Sequence, residues 1–278
     1  MQLDLIDLTP QYLQSRLHQR GEDYFAAYPA LFQHYYQHWA APNDLASLPA
    51  EVVREKVALL KSRLPAIQEA FSQHGFAETI PVVLFVGANT TNGHAFWDAS
   101  RQAFVVSLPI EAYATPLQVD IFVTHEVIHA LHYTRRPEFY FHDPSTQHLI
   151  GRQIITEGLA TWGTLTLTGS DDLTALWADY VPRAFAQRWD AQCQARKQEM
   201  AQRILKAWNE RQEGNDWFAM WDPEDVTRYR GGYYIGLQAI RKVHQEHALD
   251  LQALLSLARA RFEELTLAAL QEIAAGHA

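Results

Sequence analysis

The sequence predicts an α+β protein that is predominantly helical, with one small sheet. Long stretches place apolar residues at helical spacing between recognisable caps, and a single stretch, residues 81 to 108, switches to the short apolar runs of strands. No repeat or low-complexity linker divides the 278 residues, and 48% apolar content suffices for a substantial core. One domain over residues 1–278 is expected, with an N-terminal helical part (1–75), a central part of sheet and long helices (76–170) and a C-terminal helical lobe (171–278).

Residues 9 to 74 read as about three helices, with Thr9-Pro10 and Leu48-Pro49 as start signals and the aromatic stretch Phe32 to Trp39 as core. Val82 to Val86 reads as a buried strand. Gly93 to Trp97 and Ala103 to Leu108 read as further strands around an Asp98-Ala99-Ser100 turn. A helix is then predicted from about 116 to 135. Thr115 is its N-cap, Pro116 fits its first position, Gln118 completes a capping box, and Arg135, Arg136 and Pro137 supply a basic last turn and a stop. Its interior, from Leu117 through Val127 to Leu131, is apolar on nearly every side, as in a helix surrounded by protein.

A second apolar segment follows the Asp143-Pro144-Ser145 turn. Gly169-Ser170-Asp171-Asp172 marks a turn and cap, 172 to 213 reads as mostly helix, and a loop is expected around Gly214 to Pro223. Helices over 224–248 and 250–275 close the chain. In the last, Leu251, Leu254, Leu255 and Leu257 form a core stripe.

A net charge of −9 argues against a nucleic-acid partner. Cys193 is the single cysteine, so there is neither an intrachain disulfide nor a cysteine pair for a metal. The first eight residues lack a basic region and a long apolar run, no segment approaches a membrane span, and a cytoplasmic location is the expectation.

The helix at 116–135 carries His125-Glu126-Val127-Ile128-His129, an HExxH. Residues i and i+4 lie about 40° apart on a helix, so both imidazoles reach one point above the backbone. Glu126 sits at the edge of that face, better placed to reach a water on a metal than the metal itself. Random placement would produce the pattern in roughly 4 of 100 chains of this composition, so its setting has to decide. Two imidazoles and a carboxylate on a buried helix are costly unless paired or metal-bound. A catalytic Zn²⁺ takes three protein ligands and keeps one position open. Glu157, in Thr156-Glu157-Gly158-Leu159-Ala160-Thr161-Trp162, is the best third candidate, and Gly158 is expected to let its helix approach the first closely. His132, His142, Asp143 and His148 are rivals.

HEVIH followed by TEGLATW resembles the gluzincin metallopeptidases, and in particular a bacterial family of predicted Zn-dependent proteases. The resemblance spans about residues 82 to 245. It implies a thermolysin-like catalytic core, one Zn²⁺ on His125, His129 and Glu157, Glu126 as general base, and a sheet edge that holds an extended peptide or protein substrate. It also implies a tyrosine opposite the metal that stabilises the oxyanion. Tyr233, in Tyr229-Arg230-Gly231-Gly232-Tyr233, is the first candidate, and Tyr229 is expected on the same helical face. Arg228 and Arg230 could take a substrate carboxylate, though arginines near a helix start are more often solvated. The same stretch also reads as a helix packed through Gly232 and Gly236.

Two departures stand out. Thr161 occupies the position where thermolysin-like enzymes carry an aspartate, and Gly87 to Gly93 lacks the glutamate with which the aminopeptidase branch binds a free amine. These leave a decayed, metal-binding regulatory protein and a zinc hydrolase of a non-peptide amide or ester as alternatives.

Overall fold

A computed structural model describes residues 1–18, 21–141, 146, 148–211 and 216–276. Its backbone forms two compact units, Met1–Leu131 and His132–Ala278.

The first unit opens with β1 (Gln2–Asp7), followed by α1 (Thr9–His18), α2 (Gly21–Ala26), α3 (Pro29–His38) and α4 (Ala50–Gln73). Three strands follow: β2 (Thr79–Phe85), β3 (His94–Asp98) and β4 (Ala103–Pro109). The long helix α5 then spans Pro116–Arg135, and the border between the units falls within its last two turns. The sheet order is β1-β2-β4-β3. β1 and β4 run parallel to β2, whereas β3 is antiparallel to β4, with Ala95 opposite Val106. Val82, Val83, Leu84, Phe85 and Val86 are fully buried, as their unbroken apolar run requires of a strand covered on both faces.

Two expectations change here. Residues 9–74 hold four helices, and the N-terminal residues form a strand that the sequence reading passed over. Gln2-Leu3-Asp4-Leu5 does alternate polar with apolar, but a six-residue edge strand beside two aspartates carries a weak local signal. The turn at 98–100 is as expected. Asp98 Oδ1 accepts from Ser100 N at 2.8 Å, and Tyr28 Oη donates to Asp98 Oδ2 at 2.6 Å.

In the second unit, α6 (Ile150–Thr168), α7 (Asp172–Trp177), α8 (Arg183–Ala195) and α9 (Lys197–Lys206) precede α10 (Gly231–His247), α11 (Leu251–Leu255) and α12 (Arg259–Ala275). The helix expected from 224 begins only at Gly231. Before it lie a 3₁₀ turn at Val226–Arg228 and Arg230 in the left-handed region at φ 60°. That conformation interrupts any continuous helix.

α6 and α10 meet almost backbone to backbone. A Cβ on Gly158 would lie 2.5 Å from the carbonyl carbon and oxygen of Gly236. Gly158 therefore serves contact with α10, not the approach to α5 that its sequence position suggested. The packing expected at Gly232 and Gly236 is present, since a Cβ on Gly232 would meet the Phe218 ring at 2.7 Å.

Candidate metal centre

The local chemistry of α5 explains where it starts and stops. Gln118 N donates to Thr115 Oγ1 at 3.2 Å, while Gln118 Oε1 accepts from Ala114 N at 2.7 Å, a capping box displaced by one residue on its return bond. At the other end Arg136 N donates to His132 O at 2.7 Å before Pro137 ends the run. Val119, Val123, Val127, Ile128, Ala130 and Leu131 are fully buried; Leu117, counted with them from the sequence, is 37% exposed. Arg63 of α4 holds the outer face with a two-pronged pair to Asp120, at 2.8 and 2.7 Å.

His125, Glu126 and His129 are 6%, 7% and 5% exposed, so the motif lies at the wall of the protein interior. The Nε2 atoms of the two histidines face each other at 3.1 Å. Donors held at 2.0–2.2 Å around a tetrahedral ion are about 3.3–3.6 Å apart, so the pair stands within a few tenths of an ångström of ligand spacing. Glu157 joins them: a ligand atom from each of His125, His129 and Glu157 lies within 4.8 Å of the others. Two imidazoles and one carboxylate form a nitrogen–oxygen donor set suited to a first-row divalent ion, and three donors leave a position open.

The rivals fall away on geometry. His132 is buried among Phe139, Tyr133 and Phe262, its ring 4.4 Å from that of Phe139. His148 lies outside the cluster, with its backbone at φ 63°. His142 and Asp143 lie outside the described residues. Thr161 does not replace the missing aspartate, because its Oγ1 donates back to Glu157 O one turn earlier, at 2.8 Å.

Glu126 has a close neighbour in Gly93, the residue before β3. A Cβ at Gly93 would lie 2.9 Å from Glu126 Cγ and 3.2 Å from Ser107 O, and its φ of 153° also favours glycine. The start of the sheet's edge strand is thereby set against the carboxylate-bearing side chain. The loop before it is anchored by a residue that the sequence reading missed. Glu111 accepts from Gly87 N at 3.0 Å and Asn89 N at 3.1 Å, and burial holds its carboxyl above the usual range. The loop lacks its own acid, yet it lies over one supplied from 22 residues downstream of Asn89. No local pattern signals that.

No protein-family model, curated protein or solved structure matches this chain. Among the described residues no helix is long and apolar enough to cross a membrane.

Tyr229 and Tyr233 do not share a helical face. Tyr229 precedes α10, with the left-handed Arg230 between them. Its ring stacks on Trp177 at 5.9 Å and meets Phe185 edge-on at 5.8 Å, while its carbonyl accepts from Trp189 Nε1. Tyr233 lies in the first turn of α10, partly exposed, against Phe218 and beneath the Arg230 guanidinium. Arg228 is exposed, as expected of an arginine near a helix start, but Arg230 is not.

Proposed function

We propose that this protein is a zinc-dependent peptidase in which Glu126 is the general base. The observation that carries the reading is the grouping of His125 and His129 with Glu157 of α6, ligand atoms within 4.8 Å of one another, while α5, which carries the two histidines, also sets Glu126 against Gly93 at the start of the sheet's edge strand. Zinc, when bound, lowers the pKa of a water toward neutrality and polarises a carbonyl. His125, His129 and Glu157 would hold it.

Glu126 accepts the proton of the attacking water at its carboxylate and returns it to the leaving nitrogen as the peptide bond breaks. Its low exposure restricts competing water, and Gly93 leaves the room its side chain occupies. Among the described residues β3 pairs with β4 alone, so its other edge offers backbone groups with which an extended peptide can pair next to Glu126. Tyr233 is the stronger candidate for donating to the oxyanion, because the Tyr229 ring is engaged by Trp177 and Phe185.

The test is Glu126→Gln, measured for zinc content by elemental analysis and for cleavage of a peptide library. The variant is expected to retain one zinc per chain and to lose nearly all hydrolysis. Undiminished cleavage by the variant would sink the assignment, and a wild-type, zinc-loaded protein that cleaves no peptide would move the reading to a binding protein.

A further inference from the structure

Among the described residues Arg230 has no ion-pair partner. Its guanidinium lies over two aromatic rings, 4.7 Å from the Trp177 ring centre and 4.4 Å from that of Tyr233. The backbone that places it there is left-handed, an uncommon choice for a residue with a side chain. Of its five N–H donors, one from Nη2 reaches Leu176 O at 2.9 Å. Nε is buried without a hydrogen-bond partner, and no ion pair among the described residues includes this side chain.

An arginine cannot shed its proton to escape burial. Burial works against its charge, and the groups that support it electrostatically are Tyr233, Glu157, Tyr229 and Tyr180. Three of these are phenols. The fourth is the carboxylate of the donor group, so Arg230 is within electrostatic reach of the metal centre yet forms no bond to it. The Trp177 and Tyr233 rings lie against the guanidinium, and along its edge no N–H beyond the one on Leu176 O has a hydrogen-bond partner among the described residues. That edge is the one a carboxylate engages with two parallel hydrogen bonds.

We infer that Arg230 is a specificity-determining residue that takes the C-terminal carboxylate of a peptide, so that the chain acts at or near the free C-terminus of its substrates. This rests on the peptidase reading above for its substrate class, but the recognition step does not require cleavage.

The experiment is a calorimetric titration of the full-length Glu126→Gln protein, zinc-loaded and metal-free, with N-acetyl-phenylalanyl-leucine and with its C-terminal amide. The free acid is expected to bind about tenfold to a hundredfold more tightly than the amide, the range of a charge-assisted hydrogen bond. Adding Arg230→Gln should bring that ratio to about one. Arg230→Lys should keep part of it, and serves as the reading if the Gln variant fails to fold by circular dichroism. Equal binding of acid and amide, an unchanged preference without Arg230, or no binding of either form would overturn the inference. A clear acid preference in a protein whose wild type cleaves nothing would retain Arg230 as a carboxylate site while removing the peptidase. Cleavage of acids and amides alike would do the reverse.

Discussion

Replacing Gly158 by alanine tests the tightest contact in the second unit. In the middle of an exposed helix this change gains about 1 kcal/mol of helix propensity. Here the new Cβ would stand 2.5 Å from the carbonyl carbon and oxygen of Gly236 and 2.8 Å from its Cα, all backbone atoms that no rotamer change can move. Ordinary carbon contacts lie at about 3.5–4.0 Å, so α6 and α10 must part by roughly 1 Å at their crossing. Overpacking of that kind costs typically 1–3 kcal/mol, and a backbone clash belongs at the upper end. The net expectation is a loss of about 1–2 kcal/mol. Urea denaturation followed by tryptophan fluorescence measures it, since Trp162, Trp177, Trp189, Trp208 and Trp217 all lie in this unit. Gly21→Ala is the control: nothing lies within 4 Å of a Cβ there, so its midpoint should stay within about 0.5 kcal/mol of the wild type or rise. A Gly158→Ala protein as stable as the wild type would refute the close approach of the two helices.

Two further outcomes follow from the first unit. On the proposed peptidase reading, Gly93→Ala should bind zinc as the wild type does and lose about a hundredfold in peptide hydrolysis, the scale of a 1 Å misplacement, because the added Cβ displaces the Glu126 side chain; unchanged turnover would separate Gly93 from the proposed base. Burial and the neighbouring His38 press the His34 imidazole down to about 3, and burial drives that of His94 well below its ordinary range. Both stay neutral in the folded protein while the unfolded chain takes up protons near pH 6.5, so stability is complete above that pH and is lost as the pH falls toward 3. His34 alone should account for roughly 2 kcal/mol between pH 7 and 5. An identical pH dependence of the urea midpoint in His34→Phe would contradict this.

The HExxH helix was legible to the residue because its signals are local. A threonine cap, a proline at the first position, a glutamine three residues beyond the cap and a terminal proline act within a few residues of one another, and α5 spans 116–135 as read. The strands β2, β3 and β4 were readable for the same reason. β1 was not, since its place is assigned by pairing with β2 some 77 residues away. The phenol pair at 229 and 233 misled because a periodicity argument assumes helical dihedrals throughout, and Arg230 at φ 60° breaks them.

The sequence by itself determined the reactive types: two imidazoles at helical spacing, a carboxylate one residue along, and a downstream glutamate among apolar neighbours. Tertiary structure decided their use. It brought Glu157 to the histidine pair, packed His132 into an aromatic core, turned Gly158 toward α10 and placed the Arg230 guanidinium against the Trp177 and Tyr233 rings. The physical reason is range. Caps, turns and apolar periods are settled by neighbours along the chain, whereas ligand geometry and uncompensated charge depend on groups brought together only when the core closes.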